Sequence, residues 1–488
     1  MKRKSIEWFI VIWCIISSCN RIQTYTVLDG TPDVFPDYAD AVIPPNIAPV
    51  NFYIRGDDRR YMVRLVAGSD SFDVYCNRQV HIPAKKWKKL LTANAGKKLT
   101  MRLFADRTTG WAKYRDMALD IAAEPIDPYI AYRLIEPGYE YWHKMGIYRR
   151  NLESFSEKPI LVNTLTDGGC INCHSFCNGD PQKMLFHVRA AHAGTILVNN
   201  NRIVKLNTKT QDNISAAVYP RWHPEGRYVA FSTNQTSQAF HSVHDNQVEV
   251  YDSASDLIIF DTETQSVTSH PLIHSSERFE TFPEWSPDGK SLYFCSAPAV
   301  KMPANYDSLQ YDLFRIDFDP KTGKIGNKTD TVWQPSKLGK SVAFPRISPD
   351  GRYMAVCLSD YGTFPIWHRE NDLYLLNLQT GDVSEMSEVN SAESDSYHSW
   401  SANGRWLVFS SRRTDGLYTR LYFSYFDSDG KFHKPFLLPQ KDSEFYDCFL
   451  KSYNVPEFVS GKIKTNIRTF ERVVKGEATN VNRNVSIK

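Results

Sequence analysis

The 488-residue sequence lacks an excess of charge of either sign, since 58 lysines and arginines face 55 aspartates and glutamates. Without a basic stripe, nucleic-acid binding is not expected. Nine scattered cysteines are too few for a small disulfide-stapled scaffold. Beyond the N-terminus no stretch approaches the ~18 apolar residues of a membrane-spanning helix. Nor is any residue type enriched enough to indicate collagen, a coiled coil or a wholly disordered chain.

Aromatic residues, in contrast, are abundant. They make up 13% of the sequence, with 11 Trp, 26 Tyr and 27 Phe. Aromatic rings pack well on the pleated surface of a β-sheet, so this composition favours a mainly β fold.

The N-terminus has the layout of an export signal. Basic residues at 2–4 precede an apolar run over 8–16, which is too short to span a bilayer. Residues 16–19, Ile-Ser-Ser-Cys, resemble a bacterial lipobox, which implies cleavage before Cys19 and acylation of its thiol. Asn20 in place of Asp favours an outer-membrane lipoprotein that faces the periplasm or the outside. The alternative is an ordinary secretory signal with a coincidental cysteine.

Composition and turn residues divide the chain into regions. The predicted layout is a signal peptide at 1–18, a tether at 19–40, a β-sandwich-like domain at 41–125, an aromatic-rich segment with a cysteine motif at 126–186, a β-propeller at 187–460 and a tail at 461–488.

The propeller prediction rests on an internal repeat. Four segments share an aromatic-rich pattern that ends in a turn and a strand, and they cover 219–232, 282–295, 344–357 and 397–410. Their turn glycines, Gly226, Gly289, Gly351 and Gly404, are spaced by 63, 62 and 53 residues. Periods of this length with β character indicate propeller blades of two hairpins each. Weaker matches at 194–208 and 442–462 raise the predicted number of blades to six.

The Ser-Pro-Asp-Gly turns of these segments resemble those of TolB-like β-propellers. Similar propellers precede the catalytic domain of prolyl-oligopeptidase-type peptidases, but no Gly-x-Ser-x-Gly elbow follows the last repeat here. A glycosidase would need two opposed carboxylates, for which Asp252, Asp256, Glu277 and Glu280 are candidates. Acidic residues in propeller turns are usually solvated, so no catalytic residue is predicted.

A single motif suggests a cofactor. Cys170, Cys173 and His174 have the Cys-x-x-Cys-His spacing of c-type haem attachment, in which two thiols form thioethers and the imidazole binds the iron. The sequence therefore predicts one covalent haem c. The alternatives are a disulfide, or a zinc site completed by Cys177.

Further residues would complete a haem site. Met184 or His187 is favoured as the sixth iron ligand, because a compact haem segment must close on itself. The other candidates are His192, His143 and Met145. Arg189 is predicted to pair with a haem propionate.

The combination of lipobox, β-domain, Asn-Cys-His-Ser-Phe at 172–176 and TolB-like repeats is similar to a family of lipoproteins from Bacteroidetes-type bacteria. The resemblance implies a haem-carrying protein for electron transfer or redox sensing, with an unidentified redox or protein partner docked on the propeller. The alternative is a non-enzymatic scaffold for a protein, peptide or glycan, in which the cysteine cluster is structural.

Overall fold

The computed structural model describes residues 22–136, 144–242, 246 and 248–483. The predicted signal peptide, Cys19 and His143 lie outside these residues. The described chain is mainly β, as predicted, with short α-helices at Ala84–Ala93 (α1), Phe445–Cys448 (α2) and Ile467–Lys475 (α3). In the described ranges, no helix has both the length and the apolar character needed to cross a membrane.

The N-terminal region contains two sheets and α1. A seven-stranded sheet comprises Thr26–Val27, Val42–Ile43, Arg60–Ala67, Asp70–Cys76, Lys98–Arg107, Gly110–Lys113 and Met117–Ile121. A three-stranded sheet comprises Val34–Phe35, Phe52–Ile54 and Gln79–Val80. The helix α1 buries Trp87, Leu90 and Leu91.

Six further sheets, here ring sheets 1 to 6, contain most of the remaining strands. The first range given for each is its inner strand. Ring sheet 1 is Cys170–Phe176, Lys183–Arg189, Gly194–Asn199, Arg202–Asn207 and Thr479–Asn480; ring sheet 2 is Ala217–Trp222, Tyr228–Phe240, Val248–Asp261, Ser266–Thr268 and Asn482–Arg483. Ring sheet 3 is Arg278–Trp285, Ser291–Pro298, Asp312–Asp319 and Lys324–Trp333; ring sheet 4 is Ser341–Ile347, Tyr353–Ser359, Asp372–Asn377 and Val383–Glu385. Ring sheet 5 is Asp395–Trp400, Trp406–Ser411, Arg420–Tyr425 and Phe436–Leu437; ring sheet 6 is Ser452–Val459, Tyr129–Ile135, Met145–Asn151 and Glu157–Val162.

The inner strands contact one another in sequence order, and the inner strand of ring sheet 6 also contacts that of ring sheet 1. These contacts close a cycle. Ring sheet 6 itself joins distant parts of the chain, because Tyr129–Ile135 pairs antiparallel with Ser452–Val459. Residues 126–186, expected from the sequence to form one segment, thus supply three strands to ring sheet 6 and the inner strand of ring sheet 1.

The repeated signature explains how neighbouring sheets are connected. Its turn glycines adopt positive φ, between 66° at Gly404 and 76° at Gly226, as predicted for tight turns. Three of its tryptophans donate an indole N–H bond to a carbonyl oxygen of the preceding sheet. Trp222 donates to Ser175 at 3.3 Å, Trp285 to Arg221 at 3.1 Å, and Trp400 to Arg346 at 3.0 Å. These bonds satisfy the indole N–H groups while the rings stay largely buried.

Candidate functional site

Each of the six inner strands contains one β-bulge at the same place. The bulged residues have φ between 45° and 52°, in the left-handed region, and they are Cys173, Tyr219, Phe282, Phe344, Tyr397 and Val455. The ladder between each inner strand and its neighbour skips at this point. Left-handed backbone is unfavourable for bulky residues, and such strain is concentrated at functional sites in proteins. We therefore locate the candidate site at this strained position, which is repeated in all six ring sheets.

The bulges turn six side chains toward one small cavity. Four of them form an aromatic belt, in which ring centroids are 4.8 Å apart for Tyr219 and Phe282, 4.3 Å for Phe282 and Phe344, and 4.9 Å for Phe344 and Tyr397. Cys173 and Val455 complete the lining. The cavity measures about 60 Å³, which leaves room for a few water molecules.

Two residues beyond four of the bulges, charged side chains form what we call the charged ring. Arg221 Nε lies 2.9 Å from Glu284 Oε2, and Arg346 Nη1 lies 3.5 Å from the same oxygen. Arg221 Nη1 is 3.9 Å from Glu457 Oε1, which also accepts from the backbone N–H of Phe176 at 2.9 Å. Burial raises the pKa of both Glu284 and Glu457 to about 7, although Arg221 opposes the shift. The ring therefore combines two cations with two carboxyls that change charge near neutral pH.

The charged ring borders a wider cavity of about 390 Å³ on the side of the tight turns. The rim of this cavity includes Trp222, Trp285 and Trp400. Arg221, Arg346, Ser399 and Glu457 line both the wide and the small cavity. Together the two cavities form a funnel that narrows from the tryptophan rim, through the charged ring, to the aromatic belt.

A loop of ring sheet 4 closes the belt on its other side. It follows the strand Tyr353–Ser359, which runs away from the tight turns, and its Phe364 packs on Phe344 and Tyr397. Glu249 of ring sheet 2 holds this loop, because it accepts from the Tyr361 hydroxyl at 2.6 Å and contacts His368 Nε2 at 3.0 Å. We call these three residues the latch.

The latch is charged although it is buried. Burial alone would lower the pKa of His368, but its bonds to Glu249 and Glu370 raise it to about 9. His368 and Glu249 therefore form an ion pair at neutral pH, with side chains only 3% and 4% exposed. Breaking a buried pair of this kind costs several kcal/mol, so the loop is held firmly against the aromatic belt.

The residues predicted to hold haem lie at the start of ring sheet 1. Cys170, Cys173 and His174 belong to its inner strand, and Met184, His187 and Arg189 to the next strand. Of these, Cys173 and His174 line the small cavity. Met184 packs in a hydrophobic cluster with Ile171 and Phe176, whereas His187 contacts the Thr195 hydroxyl at 3.1 Å. Because side chains alternate along a strand, Met184 and His187 face opposite sides of the sheet.

The haem c prediction is wrong, and the repeat explains the motif. Cys173-His174 occupies the bulge position that Tyr219-Pro220 and Tyr397-His398 occupy in other ring sheets. The bulged side chains of all six inner strands line the space beside these residues and leave a cavity of about 60 Å³. Burial lowers the pKa of both His174 and His187 to about 3, as expected for neutral core imidazoles.

The alternatives for the cysteine cluster receive no support from the geometry either. Cys170, Cys173 and Cys177 are all free thiols, so no disulfide joins them. In the part of the chain that the structure describes, no three His, Cys, Asp or Glu side chains are arranged to hold a metal ion.

Known proteins that are similar to this chain include several that are named as peptidases. No family model matches the chain. It is 25% identical over 238 residues to the uncharacterized peptidase YuxL of Bacillus subtilis (strain 168), a match that covers 42% of this chain and 31% of that protein. The chain thus spans less than two thirds of the curated relative's length.

Similar solved structures include two peptidases. A puromycin-hydrolyzing peptidase of Mycobacterium tuberculosis is 11% identical, with 86% of this chain and 57% of that chain covered and a TM-score of 0.36. Prolyl oligopeptidase B of Galerina marginata is also 11% identical, with 68% and 42% covered and a TM-score of 0.36. These TM-scores are too low to support an argument about function.

The peptidase relative overturns the expected identity. The resemblance to haem-carrying TolB-like lipoproteins is wrong, and so are the electron-transfer, redox-sensing and non-enzymatic scaffold functions inferred with it. Acylation of Cys19 and an outer-membrane location fall outside the described residues and stay predictions.

The charged ring and the latch were not predicted from the sequence. Arg221, Glu284 and Arg346 each stand two residues after the bulged aromatic residue of a repeat, and Glu457 stands two residues after Val455. Alignment of these short segments would have placed the four side chains at equivalent positions. The latch had no such signal, because Glu249 and His368 are 119 residues apart.

The buried titratable groups predict how stability depends on pH. Burial raises the carboxyl pKa to about 8 at Glu280 and to about 7 at Glu284 and Glu457, so folding favours their protonated forms. His368, with its pKa of about 9, contributes stability that is complete below about pH 6.5 and is lost as pH rises through 9. We expect the free energy of unfolding to fall by about 6 kcal/mol between pH 6.5 and 9. Urea unfolding at several pH values measures this change.

Below about pH 4.5 the trend should reverse, because the three glutamates are then protonated in both states, while buried His174 and His187 are neutral when folded and gain a proton on unfolding. Glu280→Gln should reduce the slope between about pH 4.5 and 8 and leave the slope below pH 4.5 unchanged. A profile that is flat or rising from pH 6.5 to 9 would contradict the burial of these carboxyls.

Proposed function

We propose that the ring sheets form a six-bladed β-propeller and that this chain serves a peptidase function by admitting peptides into its axial funnel. Three features support the architecture: the closed cycle of inner strands, the bulge repeated in each of them, and the tight turns at one end. The curated relative, which is named a peptidase, supports the class of substrate.

The funnel carries this proposal, because its wall offers charged groups for the polar backbone of an extended peptide and then an apolar surface for a side chain. At the charged ring, Arg221 and Arg346 can bind carbonyl or carboxylate oxygens, while Glu284 and Glu457 can accept from amide N–H groups. Deeper in, the aromatic belt offers an apolar surface for one side chain. The latched loop closes the far end, so a peptide enters and leaves by the tryptophan rim.

Binding of short unstructured peptides, followed by fluorescence anisotropy, tests the proposal, and mass spectrometry of the same mixtures detects cleavage. Arg346→Met should weaken binding by about tenfold, because a charged hydrogen-bond donor is removed from the funnel wall. Arg352→Met is the matched control, since Arg352 is exposed and its guanidinium lies over Tyr353 outside the funnel.

The wild-type protein should bind peptides, and the Arg352 variant should bind them equally well. If the folded wild-type protein binds no peptide, or if both variants lose affinity to the same extent, the funnel is not a peptide site.

We also propose that the chain is anchored at the outer membrane through acylated Cys19. Cys19→Ala should then move the protein from the membrane fraction to the soluble fraction of cells, and an unchanged distribution would refute the anchor.

A further inference from the structure

The helix α1 (Ala84–Ala93) presents an unusual concentration of positive charge. Its buried face consists of Trp87, Leu90 and Leu91. Its exposed face carries Lys85, Lys86, Lys88 and Lys89, and the helix contains no acidic residue. We call these four side chains the lysine face.

Few neighbouring groups neutralise the lysine face. Lys88 Nζ lies 3.2 Å from a carboxylate oxygen of Glu153, and Lys86 Nζ lies 5.7 Å from the ring centre of Phe72. Lys85 and Lys89 form no ion pair with any residue that the structure describes. They are four residues apart, so their ammonium groups are neighbours on the helix surface and repel each other. The arrangement does not stabilise the isolated helix, and an anionic partner would relieve the repulsion.

We propose that the lysine face docks on an anionic phospholipid surface. Clusters of four or more lysines on an amphipathic helix bind such surfaces, because the negative surface potential attracts each ammonium group. The position of the helix is suitable. It contacts Asp70–Cys76, which is separated from the first strand of the same sheet, Thr26–Val27, by three strands, or about 19 Å. The proposed anchor, Cys19, precedes Thr26 by seven residues, and so few residues reach at most about 25 Å.

Co-sedimentation with lipid vesicles tests this inference. The full mature chain with Cys19→Ala, which cannot be acylated, is mixed with vesicles of phosphatidylcholine alone or with added phosphatidylglycerol. We expect binding to the anionic vesicles only, and loss of that binding at high salt. Lys85→Glu combined with Lys89→Glu should weaken binding at least twenty-fold, because each lysine contributes about fivefold at an anionic surface.

The matched control is Lys321→Glu combined with Lys324→Glu, which makes the same change in net charge at exposed positions of ring sheet 3. This control should bind anionic vesicles as the parent does. Equal loss in both double variants, or no preference for anionic vesicles, would overturn the proposal. It would also be overturned if soluble polyphosphate bound the lysine face and vesicles with the same phosphate content did not. Peptide binding in the funnel is unaffected by any of these outcomes.

Discussion

Deletion of residues 452–488 is expected to abolish cooperative folding of the ring sheets. The deletion removes Ser452–Val459, the inner strand of ring sheet 6, and leaves Tyr129–Ile135 as an unpaired edge. Tyr453, Phe458 and Val459 are all buried, and burial of each large apolar side chain contributes about 1.5–3 kcal/mol. Their combined loss is comparable with the ~5–15 kcal/mol stability of a typical domain. Urea unfolding followed by tryptophan fluorescence, together with size-exclusion chromatography, measures the outcome.

A shorter deletion provides the control. Among the described elements, removal of residues 477–488 eliminates Val481 and the strands Thr479–Asn480 and Asn482–Arg483, which pair at the outer edges of ring sheets 1 and 2. This variant should remain monomeric and unfold in one transition. The longer deletion also removes α3, so a point variant is needed to test the inner strand alone. Tyr453→Ala should lower the free energy of unfolding by about 3–5 kcal/mol. If the chain that ends at residue 451 were monomeric and unfolded as the parent does, the closed ring would not be required for folding.

The four clearest repeats were predictable because each lies within one continuous segment. Each of those segments contains a turn, a bridging aromatic residue and a following strand at fixed offsets. The structure has strands where they were expected, for example at Asp372–Asn377. Ring sheet 6 could not be predicted in the same way. Its inner strand lies about 320 residues beyond the strand that pairs with it, and sequence periodicity contains no information on such long-range pairing.

The cysteine motif shows how one short pattern can have two explanations. Cys-x-x-Cys-His is specific for haem when it is considered alone. However, His174-Ser175-Phe176 has the same pattern as His398-Ser399-Trp400, which closes an inner strand in ring sheet 5. That second match was present in the sequence and favours a strand with a bulge. Comparison of a motif with its own internal repeats is therefore the test that would have prevented the haem prediction.

Substitution of Arg221 by Met is expected to destabilise the protein by about 3 kcal/mol, because it leaves two buried carboxylates without their shared cation. Arg221 lies between Glu284 and Glu457, and its side chain is 17% exposed at the funnel wall. Arg315→Met is the matched control: Arg315 pairs with Asp330 at 2.7 Å, and the two side chains are 38% and 36% exposed. Exposed ion pairs contribute about 0–1 kcal/mol, so the control should have little effect. Urea unfolding at about pH 8 compares the two variants.

The origin of the loss can be identified by two further measurements. As pH falls from about 8 to 6, Glu284 and Glu457, with pKa values of about 7, take up protons and no longer require a cation. The cost of Arg221→Met should therefore shrink over this range, whereas that of Arg315→Met should stay constant, because Arg315 holds the Asp330 pKa below its usual range. Glu284→Gln should restore part of the stability in the Arg221→Met background, and a double-mutant cycle measures the coupling. A cost of Arg221→Met that is independent of pH and of Glu284 would show that Arg221 acts through packing of its alkyl chain. In that case the charged ring would not be the electrostatic unit inferred from its geometry.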